Sequence, residues 1–362
     1  MKKEATCSIK TSIGGQALME GIMMRGPKRS AMAVRNPQGE MVVEEWDTKG
    51  SERGKFFKLP IIRGVFNFAD SMISGYKCMM RSAEISGLEE IEEEERRIKE
   101  AKKAEKAAKK AEKAAKKAAK KGIVPEEKEE DGLIVAEDEN KDENKDEKKT
   151  STLTDVVMVA SVILAVVIFV GLFMWLPSFL YSQLGKLVPS ISENRFLKSL
   201  FEGVMRVGLL IAYMALVSLM KDIRRTFMYH GAEHKTIFCY EQGLELTVEN
   251  VRKQKRFHPR CGTSFLVIMV LVGIFIGFFI PAGIPNLARV GIKILLVPVI
   301  MGIGYELIKL AGKHDNFLVK IISAPGMWMQ RITTVEPDDD MIECAIVAIK
   351  KVIPDDGSDL IK

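Results

Sequence analysis

Three of the four histidines in this chain fall within 29 residues, and two of them stand four apart in the string His230-Gly231-Ala232-Glu233-His234. Residues i and i+4 share one face of a helix, so both imidazoles can reach one ion. The string has the form H-x-x-E-H, the inverted zinc-protease signature, in which the glutamate serves as general base on a metal-activated water. Downstream, His258-Pro259-Arg260-Cys261 offers an imidazole and a thiol, both ligand types that zinc favours, and Glu241 offers a further carboxylate. The chemistry predicted is metal-dependent and hydrolytic. His230 and His234, with His258 or Cys261, hold the metal, and Glu233 is the catalytic base. Zinc leads among the divalent metals because the ligands are imidazole and thiolate; iron is also compatible. Two facts weigh against it. Gly231 weakens the helix that the spacing needs, and histidines beside a membrane can act as hydrogen-bonding groups alone.

A second unusual string runs from Gly14 to Pro27, GGQALMEGIMMRGP. It lacks the GxxxxGK[ST] and GxGxxG spacings, so no phosphate loop is predicted. Gln16, Glu20 and Arg25 are polar groups set among apolar ones. The plain reading is a buried turn with an internal Glu20–Arg25 ion pair; the functional one adds Glu20 and Arg25 to the catalytic groups.

The elements that must position these residues are mostly apolar helices. The 362 residues are 47% hydrophobic yet 28% charged, which requires the two kinds to be segregated. Four apolar runs, 153–176, 200–220, 263–283 and 287–311, each approach the ~20 residues that cross a bilayer. The second and fourth carry charges and should pack inside the bundle, with Glu202 and Arg206 paired at i,i+4. Gly273 and Gly277 form a GxxxG in the third run, and Pro298 should kink the fourth. The loop 221–262 holds nine Lys/Arg residues, against three between the first two runs and none between the last two. The positive-inside rule therefore puts that loop, and with four spans both termini, in the cytoplasm. The N-terminus has no apolar stretch behind its lysines and is not a signal peptide.

Outside the spans, 31–46 reads as a β-hairpin around Asn36-Pro37-Gln38-Gly39. Residues 59–84 read as an amphipathic helix, either in the membrane interface or in a soluble core. Residues 89–150 are a Lys/Glu/Ala-rich helix followed by an acidic, disordered stretch, an insertion without core-forming residues. Near the C-terminus Glu336-Pro337-Asp338-Asp339-Asp340 is a helix start, and Met341, Ile342, Ala345, Ile346, Ile349 and Val352 line one face. A net charge of +6 is too small to argue for nucleic acid, and five scattered cysteines predict no disulfide framework.

The strings GGQALMEGIMMRGP, YHGAEHKTI, RFHPRCGTSF and APGMWMQRITTVEPDDDMIECAI together resemble the YqhQ-like family of bacterial membrane proteins, over residues 8–88 and about 150–352. The resemblance implies a multi-pass plasma-membrane protein of unknown function, described as a predicted metal-dependent enzyme. The family motifs fall on Glu20, Arg25, His230, Glu233, His234, His258 and Cys261. The expected architecture is mainly α: about four transmembrane helices (151–311) with a small α+β cytoplasmic portion from 1–88, 221–262 and 312–362. The bilayer is the expected partner. Two other functions fit the sequence: a membrane scaffold or assembly factor that binds a cytoplasmic protein, and a small transporter.

Overall fold

The structure, a computed structural model, describes residues 9–48, 54–87, 160–192, 194–281, 283–313 and 317–361. The charged stretch expected at 89–150 lies outside them, as does the start of the first apolar run. The chain divides into two compact units: Met1–Gly87 with Phe169–Lys362, and Leu88–Ile168. In the second, Ala160–Ile168 is helical. The sheet and the histidine cluster belong to the first.

Four strands, β1 (Gly14–Leu18), β2 (Gly21–Arg25), β3 (Arg29–Arg35) and β4 (Met41–Asp47), form an antiparallel meander in the order β1-β2-β3-β4. The β3–β4 hairpin stands where the two apolar runs around Asn36–Gly39 placed it. Gly39 takes φ +84°, and the Asn36 side chain accepts from the Glu40 N–H at 2.8 Å to close the turn. The Gly14–Pro27 string is not a buried turn. It is β1, a two-residue turn and β2. Its period was hidden because β2 is covered on both faces, and such strands read as unbroken apolar runs. Glu20 and Arg25 consequently stand at opposite ends of β2, about 16 Å apart along an extended chain. No internal pair forms between them. Glu20 sits in the turn at φ 50° and binds Arg225 through both carboxylate oxygens at 2.5 Å, with the Tyr229 hydroxyl at 3.3 Å.

The helices are α1 (Ile62–Ile85), α2 (Ala160–Leu187), α3 (Arg195–Val217), α4 (Lys221–Glu241), α5 (Val248–Arg252), α6 (Gly262–Gly277), α7 (Asn286–Lys313), α8 (Phe317–Thr333) and α9 (Asp339–Val352). One sheet face, through Ile22, Met24, Ala31 and Ala33, packs on Tyr229 and Ala232 of α4 and on Ile342, Ala345 and Ile349 of α9. The other, through Leu18, Met23, Met32 and Val34, meets Cys78 of α1. The apolar face expected on α9 is its buried face. Asp339 and Asp340 in its first turn and Lys350 and Lys351 in its last complement the helix dipole.

Three helices, α2, α3 and α7, are long and apolar enough to cross a membrane. Most of their side chains lie on the outside of the molecule, the reverse of a water-facing helix. The third apolar run forms α6, which stops at Gly277. Its 16 residues reach about 24 Å, short of the ~30 Å hydrocarbon core. The sequence pattern did not mark α8, because Pro325 and Gly326 interrupt it. Gly326 lets α8 close on α6: a Cβ there would come within 2.6 Å of Ser264 Cα. Similarly Gly64 of α1 lies against Tyr305 and Gly302 of α7, and Arg63 joins Glu306 there at 2.5 and 2.7 Å. Phe66, Met72, Ile73 and Tyr76 of α1 are exposed.

Candidate metal centre

His230 and His234 do lie on one face of α4, despite the glycine between them. A Cβ at position 231 would strike the Val335 carbonyl oxygen, so Gly231 admits the chain that leaves α8. That chain is tied down by the Val335 N–H donating to Phe227 O at 2.9 Å. The crossing puts the Thr333 carbonyl 2.8 Å from His230 Nδ1. On the next turn the Arg256 carbonyl lies 2.5 Å from His234 Nδ1. A carbonyl can only accept, so each Nδ1 carries a proton, and in the neutral imidazole each Nε2 presents a lone pair. This is the outer-shell arrangement by which proteins orient metal-binding histidines.

Cys261, the residue before α6, lies against His230 and close to His234. His230 Nε2 is 3.1 Å from its sulfur, and one donor atom from each of His230, His234 and Cys261 lies within 4.8 Å of the others. Ligand atoms around a tetrahedral zinc stand about 3.5 Å apart, so a small contraction would complete the set. His234 is buried, and its Nε2 has no hydrogen-bond partner. A buried, unpaired acceptor costs about 1–3 kcal/mol, and a metal ion would satisfy it. Burial pushes the His234 imidazole below its ordinary pKa, with His230 adding to the effect. Burial also raises the Cys261 thiol, but its attraction to His234 and the Thr263 hydroxyl prevails and leaves it below the ordinary value. Both shifts favour the forms that bind metal.

His258 stands apart from this set. Its Nδ1 accepts from the Arg260 N–H at 3.3 Å, and its Nε2 faces Glu241 at 3.7 Å. Glu241 is held by Arg260 and by the Thr11 N–H at 2.9 Å. His258 instead packs edge-on against Phe238 and beside His234 as part of the wall. Gln330 of α8 fixes this loop, donating to His258 O and accepting from His258 N, both at 2.7 Å, and reaching Ser264 at 3.1 Å. Gln330, Thr333 and Arg256 carry no signal in the sequence, because two of them act through backbone carbonyls and all act across long sequence separations.

Glu233 lies beside the cluster, and burial pushes its carboxyl up to about 7, against the pull of His230. The Gly15 N–H binds it, and a Cβ on Gly15 would come within 2.9 Å of its Cγ and Cδ. On the far side of Gly15 is a recess of about 420 Å³ lined by Gln16, Arg25 and Ser74 among others. Arg25 thus lines that recess, and Glu20 joins the Arg225 pair.

An antiparallel sheet clasped by a histidine-bearing helix, with three long apolar helices turned outward, defines a mainly helical protein with a small sheet-containing part. The chain belongs to the family described as "Protein of unknown function (DUF1385)", whose model matches residues 59–355. It is 30% identical over 356 residues to the uncharacterized protein YqhQ of Bacillus subtilis (strain 168), covering 95% of this chain and 93% of the relative. No solved structure matches it.

Proposed function

We propose that the protein is a metal-dependent hydrolase working at the cytoplasmic face of the bacterial plasma membrane, with zinc in a site made by His230, His234 and Cys261. The carrying observation is the unpaired, buried Nε2 of His234 facing a second imidazole and a thiol. Three protein ligands leave a fourth position open, which is the pattern of catalytic rather than structural zinc. A bound zinc supplies Lewis acidity there and lowers the pKa of a water. The protein's own part is then proton handling and placement. The Glu233 carboxylate, steered by the Gly15 N–H, takes up a proton next to His230 and Cys261 and returns it to a leaving group. His234, Glu233 and Cys261 are buried, where such charge shifts are felt strongly. Metal analysis of the purified full chain tests this reading. About one equivalent of zinc is expected, and a protein without stoichiometric metal would remove its main support.

The membrane setting has a separate support. The outward apolar surfaces of α2, α3 and α7 support it, and if the apolar run 263–283 also crosses, the nine basic residues of 221–262 argue for that loop and both termini on the cytoplasmic side. Cysteine labelling at position 240 from either side of the membrane checks this. Labelling from outside would invert the arrangement and expose the metal centre to the exterior.

A further inference from the structure

The far end of the helical bundle, away from the histidines, carries an excess of positive charge where apolar helices leave little room for it. Glu202 of α3 accepts from Arg289 Nε at 3.1 Å and pairs with Lys293, while Arg206 stands 3.7 Å away. Lys198, one turn before Glu202, is buried as well. Among the described residues Glu202 is the carboxylate that Arg206, Arg289 and Lys293 share. Counting by sequence over 176–206 and 280–293, there are six Lys/Arg residues (Lys186, Arg195, Lys198, Arg206, Arg289, Lys293) against Glu193 and Glu202. Over these two segments the cations outnumber the acids. Charges taken out of water among apolar helices are costly and mark binding sites or ion paths.

The charge does not lie in a sealed core. Lys198 lines a recess of about 250 Å³ whose wall also includes Tyr181, Ser182, Gly283 and Asn286. Arg289 is fixed just below it, donating to Ile280 O at 3.2 Å, Pro281 O at 2.9 Å and Ser199 Oγ at 3.2 Å. A hydroxyl-, amide- and ammonium-bearing wall above buried guanidinium groups suits a ligand with several acceptor oxygens better than a halide. Deeper in the same ladder the buried Arg206 Nη2 has no hydrogen-bond partner and meets Glu202 only at 3.7 Å.

We propose that this recess binds a phosphate-type oxyanion, with Lys198 as its direct ligand and the Arg289–Lys293 pair as the source of the attracting field. The oxyanion comes either as free phosphate or as the headgroup of an anionic lipid. Two arms separate these sources. The full chain in phosphatidylcholine nanodiscs is titrated with inorganic phosphate against chloride at matched ionic strength. In parallel, its melting temperature is compared between phosphatidylglycerol and phosphatidylcholine nanodiscs. Phosphate binding, or a higher melting temperature in phosphatidylglycerol, is expected for the native chain. Lys198→Gln should weaken binding by about tenfold or more, the effect of losing one charged hydrogen bond. Gly283→Leu is a second variant that keeps every charge: a Cβ there meets nothing within 4 Å, and the larger side chain is placed on the recess wall to obstruct it. It should abolish the response too. No response of the native chain in either arm, or an undiminished response in Gly283→Leu, overturns the proposal.

Discussion

Glu202→Ala is expected to destabilise the helical bundle by about 3–5 kcal/mol, the cost of stripping the partner from a buried ion pair. Glu202 is 1% exposed and Arg289 is fully buried. The carboxylate is the shared acceptor for Arg289 and Lys293 and the nearest anion to Arg206. Its removal leaves three cations facing one another in an apolar setting, a repulsion that side-chain adjustments cannot relieve. Thermal melting of the purified full chain in detergent measures the loss. A variant that also replaces Arg289 and Lys293 by Leu should recover part of it, because exchanging a whole buried ion cluster for apolar groups is often neutral or better, whereas breaking one partner is not. A melting temperature unchanged in Glu202→Ala would mean that water reaches the cluster and screens it.

Part of that cluster was legible in the sequence and part was not. Glu202 and Arg206 are one helical turn apart, so spacing alone pairs them. Arg289 and Lys293 lie almost ninety residues away in chain order, and no periodic rule brings α7 to α3. The same divide runs through the metal centre. The i,i+4 step marked His230 and His234, and the loop's two ends marked Cys261 as within reach. The choice between His258 and Cys261 depended on the Arg260 N–H and Glu241, which occupy both His258 nitrogens, and no spacing shows that. Arg225 as the partner of Glu20 likewise follows from α4 crossing the sheet beside the β1–β2 turn. Helices with continuous apolar runs were the easiest to find. Residues 14–25 were the hardest, since a strand buried on both faces hides its alternation. Glycine misled twice in the same direction: Gly231 and Gly326 lower helix propensity, yet each sits inside a helix because another backbone or side chain passes where a Cβ would be.

His230→Ala, His234→Ala and Cys261→Ser should each lower zinc affinity by more than about 100-fold, whereas His258→Ala should cost about 10–100-fold at most. The larger figure reflects loss of a direct ligand from a set of three; the smaller is the usual effect of an outer-shell change. His258 is placed to affect the site only through the packing of its ring against His234 and through the loop that Gln330 holds. Glu233→Gln should keep the metal, since the amide oxygen can still accept from the Gly15 N–H, while any hydrolytic turnover should vanish because the amide cannot take a proton at neutral pH. Competition with a chromogenic chelator on the purified full chains ranks the affinities, and melting temperatures without metal show whether each variant is folded. The ordering is the diagnostic. If His258→Ala released zinc as readily as His234→Ala, the site would have four protein ligands. A closed set of that kind is structural, and the hydrolase reading would give way to a scaffold whose zinc holds the 256–261 loop against α4.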